Sequence, residues 1–411
     1  MVHFKQFENG LKLVVNQMPS LMSVTMGILV YTGASVETDE EDGISHFIEH
    51  MMFKGTKKRT AFQISDEMDK IGAQVNAFTG KDMTCYYAKS TTGHAKEAFD
   101  ILADLFLNST FPENEIAKEK DVIIEEISMN EDTPDDLCLD TLSRAFYGTK
   151  GYGRNILGPR KNVEKFGKND ILAYMDKRYL PDNMVISMAG NIDVKLAENI
   201  VEEHFSVLEK RCCKREPVKV ELKGKSLYKK KDIEQVHIAI AYPTVKRYDE
   251  LFDATQIMNA ILGGSMSSRL FQTVREDLGL AYTVYSYTST YCETGALAVY
   301  AGVNSEKYIQ SAEAIYRCIN ELKNKNISED EFLRGKEQLI SSQIFAQEST
   351  SSQMLLFGKE LLYRGKIYNF QNRVNQISSV TLKDVLTAVE ANFDEKYKAT
   401  AIVGAVNKAL Q

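Results

Sequence analysis

Two histidines and a glutamate stand close enough in this sequence to serve one chemical centre, in the run His46-Phe47-Ile48-Glu49-His50. At about 100° per residue of α-helix, Glu49 falls at roughly −60° and His50 at roughly +40° from His46, so all three side chains leave one face. Two neutral imidazoles at i and i+4 form a ready pair of zinc ligands, and a carboxylate beside them can take a proton from water at the metal. The order is the inverse of the commoner metalloprotease pattern, with the glutamate next to the second histidine. The competing reading is an amphipathic helix whose two histidines merely share a face. The flanks weigh against it: Met51, Met52 and Phe53 continue apolar, while Asp42, Gly43 and Ser45 supply helix-start chemistry. Burying two histidines and a glutamate in such a helix is costly unless something satisfies them, and a metal would.

A catalytic zinc usually takes three protein ligands. The run Glu119-Lys-Asp-Val-Ile-Ile-Glu-Glu-Ile127 offers the missing one, because Glu119 and Glu126 lie seven residues apart on one helix face with Val122 and Ile123 between them. Acids in line with an apolar stripe are anomalous, since surface acids belong opposite it, as Glu125 would be. Alone they could be rim acids of a charged helix. Beside the first motif they read as a third ligand with a supporting carboxylate behind it.

The elements that must hold these residues are legible as periodicities. Strand-like runs cover Leu11 to Asn16 and Val24 to Tyr31, and the motif helix follows. A second helix spans Ala61 to Gly72, then comes a strand-like run from Val75 to Ser90. Helical spacing marks Ala95 to Asn108 and Glu113 to Met129, and the half closes with a strand from Asn183 to Ala189 and a helix from Val194 to Leu208. Residues 209–220 are charged, contain Pro217 and lack periodicity, which marks a linker. The order then restarts: strand Val236 to Tyr242, helix Leu251 to Leu262, a Gly-Gly turn, helix Ser267 to Leu278, and strands Ala281 to Ser289 and Gly295 to Val303. Phe62-Gln63 and Phe271-Gln272 both sit in a helix that ends at a glycine, Gly72 or Gly279, and leads into a strand, as a diverged duplication requires. Two unrelated α+β domains of similar size are the alternative. The expected division is 1–210 and 220–411, joined by 211–219. No histidine follows His237, so the second half cannot repeat the metal site.

With 411 residues, 44% of them hydrophobic and 26% charged, the chain has the composition of a soluble globular protein of more than one domain. A net charge of −7 argues against a nucleic-acid partner. No run approaches the ~18 apolar residues of a membrane span, and the start carries no secretory pattern, so a cytoplasmic protein without a membrane partner is expected. Six cysteines, Cys85, Cys138, Cys212, Cys213, Cys292 and Cys318, show no C-x-x-C spacing, so neither a thiolate metal site nor a disulfide framework is indicated.

The run His46 to Thr56, His-Phe-Ile-Glu-His-Met-Met-Phe-Lys-Gly-Thr, resembles the zinc signature of the pitrilysin-type (M16) metallopeptidases, in particular the shorter branch containing mitochondrial processing peptidase and bacterial homologues. The resemblance continues through Ile124 to Asp135, Gly153 to Gly158, Pro181 to Asp193 and Gly263 to Tyr285, nearly the whole chain. It places the third ligand 76 positions after the second histidine, at Glu126, and the family's additional glutamate at Glu119. It also matches the family's arginine and tyrosine with Arg275 and Tyr282, whose guanidinium and phenol would bind a substrate carbonyl and its developing charge. Read by themselves, these two would be a surface charge and a core aromatic. Asn76, Ala77 and Phe78 are similar to the edge strand on which an extended substrate adds by β-pairing.

What the resemblance implies is an α+β fold of two similar domains, each an antiparallel sheet flanked by helices. It implies one Zn2+ per chain, held by His46, His50 and Glu126, with Glu49 as general base. It further implies that two chains close around a chamber, in which peptides or flexible segments are cleaved. Because one chain carries both the zinc motif and the Arg/Tyr pair, a homodimer is the economical assembly. The alternative is a non-catalytic structural or assembly subunit of the same family; such subunits usually lose the zinc motif, which is intact here.

Overall fold

In the computed structural model, which describes residues 1–324 and 326–406, β1 (Val2–Gln6) and β2 (Lys12–Gln17) form a hairpin, β3 (Ser23–Val30) follows, and α1 (Ile44–Met52) carries the histidine motif. α2 (Ala61–Lys70) starts at a capping box, in which Thr60 Oγ1 accepts from the Gln63 N–H and the Gln63 side chain accepts from the Thr60 N–H. The run from Val75 to Ser90 is two strands, β4 (Gln74–Thr79) and β5 (Thr84–Thr91), because the chain turns where the Gly80 N–H bonds the Met83 carbonyl. α3 (Ala95–Asn108), α4 (Glu113–Asp132), α5 (Pro134–Tyr147), α6 (Arg160–Val163) and α7 (Lys168–Arg178) lead to β6 (Met184–Gly190) and α8 (Val194–Phe205). Residues 209–225 form no helix or strand. Then come β7 (Ser226–Lys230), β8 (Gln235–Thr244), α9 (Phe252–Leu262), β9 (Ala281–Thr290), β10 (Gly295–Asn304), α10 (Tyr308–Lys323), α11 (Glu329–Ala346), α12 (Thr350–Arg364), α13 (Phe370–Ser379), α14 (Leu382–Ala391) and β11 (Ala399–Gly404). The helix expected from Ser267 to Leu278 is mostly a π-helix, Phe271–Asp277.

The strands form two sheets, ordered β1-β2-β6-β3-β5-β4 and β7-β11-β8-β10-β9. Without β1 their wiring is the same. In each, the first strand runs parallel to the last (β2 with β6, β7 with β11), the last pairs antiparallel with the second (β3, β8), the second with the fourth (β5, β10), and the third lies at the edge (β4, β9). Ten independent strands would not arrive at this correspondence by chance packing, so the fold is an α+β duplication of the expected kind, with one parallel pair in each otherwise antiparallel sheet.

Each sheet is covered on both faces, and the pleat decides which residue meets which helix. Met26, Ile28, Val30, Ile186 and Met188 of the first sheet join a core with Phe47, Ile48, Met51 and Met52 of α1 and Phe99 and Leu102 of α3. Burial of each such side chain contributes about 1.5–3 kcal/mol, which outweighs the cost of carrying polar groups into the same helix. The opposite face, through Thr25, Gly27, Leu29 and Ser187, receives α12. Thr25 Oγ1 lies 2.8 Å from Thr350 Oγ1, and Ser187 Oγ donates to the Met354 carbonyl at 2.7 Å. Small residues set this approach: a Cβ on Gly358 would stand 2.7 Å from Leu29 Cδ2. In the second sheet Ala239, Ala241, Ala298 and Ala401 perform the same service for α5. α5 and α12 come at the same point of the two repeats, and each lies on the other repeat's sheet. The compact units are accordingly interleaved along the chain: residues 1–127, 155–216 and 345–369 make one, and 128–154, 217–344 and 370–411 the other. No helix among the described residues is long and apolar enough to cross a membrane, and all six cysteines are free.

Candidate metal centre

α1 starts at Gly43, whose φ of 99° and contact with Gly158 leave no room for a side chain: a Cβ there would meet Gly158 Cα and the Leu157 carbonyl at 2.8 Å. Its first amides are held by Glu37, which accepts from the Gly43 N–H through Oε2 and from the Ser45 N–H through Oε1, each at 2.8 Å. Burial pushes the Glu37 carboxyl up to about 7, against the opposing pull of these two amides. Ser45 Oγ in turn lies 2.9 Å from the Tyr174 hydroxyl, which lies 2.8 Å from Thr32 Oγ1. The helix that must aim two histidines is thus pinned at its first turn.

From this helix His46 and His50 face Glu126 of α4. His46 Nε2 and His50 Nε2 lie 3.7 and 3.5 Å from Glu126 Oε2, and one donor atom from each residue lies within 4.8 Å of the others. Donors on a tetrahedral zinc stand roughly 3.3–3.5 Å apart, given bonds of about 2.0–2.1 Å, so the three need little adjustment to share an ion. The separations are too long for hydrogen bonds. His46 is buried, its Nδ1 has no hydrogen-bond partner, and burial followed by the neighbouring His50 drives its pKa down to about 3. A buried imidazole held neutral keeps a lone pair that its Nε2, on the Glu126 side, can offer to a metal.

His50 is fixed from behind. Its Nδ1 lies 2.8 Å from Glu119 Oε1, while Glu119 Oε2 lies 2.6 Å from Lys54 Nζ. With a carboxylate at Nδ1 the proton belongs there, which leaves the Nε2 lone pair facing Glu126. Burial alone would raise the Glu119 carboxyl, but the bonds to His50 and Lys54 outweigh it and hold the group below the usual range. The buried stripe of α4 is Ile116, Glu119, Ile123 and Ile127; Val122, grouped with it on sequence spacing, is 50% exposed. Glu49 leaves α1 towards the edge strand β4, where Thr79 Oγ1 donates to its Oε2 at 2.5 Å. Burial raises its pKa, with Thr79 and His50 opposing. A base poised above the ordinary carboxylate range suits proton transfer near neutral pH.

Asn76, Ala77 and Phe78 lie on β4, at the open edge of the first sheet, where Asn76 Oδ1 accepts from the Ala77 N–H at 2.8 Å. Arg275 and Tyr282 belong to the other compact unit and lie together there, the guanidinium carbon 4.9 Å from the centre of the Tyr282 ring. Both occupy backbone irregularities: Arg275 is in the π-helix, and Tyr282 is the extra residue of a β-bulge, since Gly302 pairs with Thr283 and Val303 with Ala281. Three contributors escaped the sequence reading: Glu37, Lys54 and Thr79. Thr79 had a signal, since alternation along β4 puts it with Ala77 on the side facing α1; Lys54 acts through a contact distant in sequence, with Glu119, and Glu37 through a loop that periodicity does not mark.

Comparison with known proteins gives a consistent picture. The family model described as insulinase (peptidase family M16) matches residues 12–160, and that described as the peptidase M16 inactive domain matches residues 165–339. A Bacillus subtilis protein described as an uncharacterized zinc protease is 41% identical over 396 residues, covering 96% of each chain. One of Rickettsia felis with the same description is 36% identical, covering 98% of this chain and 97% of its own. Among solved structures, a protease from Helicobacter pylori superposes with a TM-score of 0.91 at 19% identity, covering 98% of this chain and 99% of its own. A structure from Pseudomonas fluorescens described as a peptidase M16 inactive domain also reaches 0.91, at 20% identity and full coverage of both chains.

Proposed function

Since the chain belongs to the M16 peptidase family, we propose that it is a zinc-dependent endopeptidase acting on unfolded peptides or flexible segments. The observation that carries this reading is the convergence of His46, His50 and Glu126 on one point, with Glu49 on the same helix as the two histidines. His46, His50 and Glu126 would hold one Zn2+ per chain, and when bound the metal would polarise water and the scissile carbonyl. Glu49 takes the proton of the attacking water, its carboxylate oriented by Thr79, and passes it to the leaving amine. Glu119 orients His50 and is itself held by Lys54. β4, which carries Asn76, Ala77 and Phe78, offers an open edge to which an extended substrate could add as a further strand. Arg275 and Tyr282 supply a guanidinium and a phenol for the substrate's carbonyl.

The assembly belongs to the same reading: a homodimer that closes a chamber, in which Arg275 and Tyr282 of one protomer serve the zinc site of its partner. The setting does too, namely the cytoplasm of a bacterium, as the relatives named above are bacterial. The test is hydrolysis of a quenched peptide of roughly 10–20 residues, compared with a folded domain carrying the same sequence. The peptide should be cut by the wild type and spared by Glu49→Gln, and the folded domain should be spared by both. Full activity of Glu49→Gln would overturn the mechanism, and equal cleavage of peptide and folded domain would overturn the enclosure.

A further inference from the structure

We propose that Phe271 is a positioning residue that holds the Arg275 guanidinium edge-on to the substrate. This rests on the peptidase reading of the Arg275/Tyr282 pair and deepens it. The guanidinium carbon of Arg275 stands 4.7 Å from the centre of the Phe271 ring and 4.9 Å from that of Tyr282, so the cation lies between two aromatic rings. Among the described residues the carboxylate paired with it is that of Glu276, whose Oε1 is 3.5 Å from Nε, longer than an ordinary hydrogen bond. The rings therefore hold the group while its N–H donors stay uncommitted. Arg275 and Tyr282 line a cleft of about 510 Å³ together with Glu234, Gln235, Gly279 and Asn304, while Phe271 stands behind the guanidinium and outside that lining. Donors left free in a fixed plane suit a carbonyl oxygen, whose approach then costs no rearrangement of a long, flexible side chain.

The two backbone irregularities make this arrangement. The π-helix sets the spacing of Phe271 and Arg275 along one turn, and the bulge turns Tyr282 out of the sheet's alternation, leaving it 77% exposed beside the guanidinium. The corresponding segment of the first repeat shows that this is no inherited packing. There α2 is an ordinary α-helix, Phe62 is 75% exposed, and the residue four positions on is Asp66, bound to Lys70.

The test is a double-mutant cycle on kcat/KM for a quenched peptide, with Phe271→Leu, Phe271→Tyr, Arg275→Ala and the Phe271→Leu/Arg275→Ala double variant. Loss of the ring should lower kcat/KM by about 2- to 30-fold. Phe271→Tyr should stay near the wild type, and Phe271→Leu should add nothing once Arg275 is alanine. A Phe271→Leu protein with wild-type activity, or one that loses as much in the Arg275→Ala background as in the wild type, overturns the positioning role and leaves Arg275 in place. An Arg275→Ala protein with wild-type kcat/KM overturns the role of the pair, and the role of Phe271 with it.

Discussion

Replacing Glu119 by glutamine should weaken zinc binding without unfolding the protein, and the size of the effect follows from its two contacts. Glu119 is buried, with Oε1 2.8 Å from His50 Nδ1 and Oε2 2.6 Å from Lys54 Nζ. Glutamine keeps one acceptor and turns an amide N–H2 towards the other partner, so one donor meets a donor. Lys54 is partly exposed and can swing to water, whereas His50 would retain a neutral bond in place of a charge-assisted one. The imidazole is then held less firmly and is less basic. Changes of this type behind a metal-ligating histidine cost about 10- to 100-fold in metal affinity, or roughly 1.4–2.7 kcal/mol. Competition against a chromophoric chelator measures this, with thermal unfolding of the metal-free protein run alongside. An affinity within about twofold of the wild type would refute the role assigned to Glu119.

Glu49→Gln should bind zinc like the wild type and lose about 10²- to 10⁴-fold in turnover, because the water's proton then has no acceptor; metal content and peptide hydrolysis on one preparation check both halves. Mixing Arg275→Ala with Glu49→Gln protein should restore part of the activity through hybrid dimers, and no gain over either alone would argue against sites shared between protomers. Glu331 is held at about 2 because its bonds to Arg269, at 2.7 and 2.9 Å, outweigh the opposing effect of burial. Its folded pKa is depressed, so its contribution is complete above the unfolded value of about 4.5 and fades as pH falls towards 2. Glu331→Gln should therefore lower the urea midpoint at pH 7, by about 1–3 kcal/mol of stability, and by progressively less between pH 4.5 and 3; a deficit independent of pH would contradict this. Gly358→Val should cost about 1–3 kcal/mol in the same assay, since its side chain would press on the buried Leu29 and Ser187 and lift α12 from the sheet.

The candidate metal centre was legible because helical periodicity is local: His46, Glu49 and His50 share a face by arithmetic alone, and an acid inside a buried stripe betrays itself, as Glu119 does. Glu126 as the third ligand came from family resemblance, and its position opposite both imidazoles is a matter of two helices meeting. The repeat was visible as a restart of elements, while the reciprocal exchange of α5 and α12 was not, because an amphipathic helix carries no mark of which sheet it will cover. The π-helix and the bulge left no trace either. Each is a one-residue change of register, which neither composition nor periodicity marks.

The most direct measurement is zinc titration of the metal-free protein with peptide hydrolysis followed on the same samples. Activity should rise in proportion to bound zinc and level off at one ion per chain, and His50→Ala and Glu126→Gln should show neither tight binding nor hydrolysis. Hydrolysis that survives removal of the metal, or tight stoichiometric binding that survives loss of both His50 and Glu126, would contradict a zinc peptidase centred on these residues.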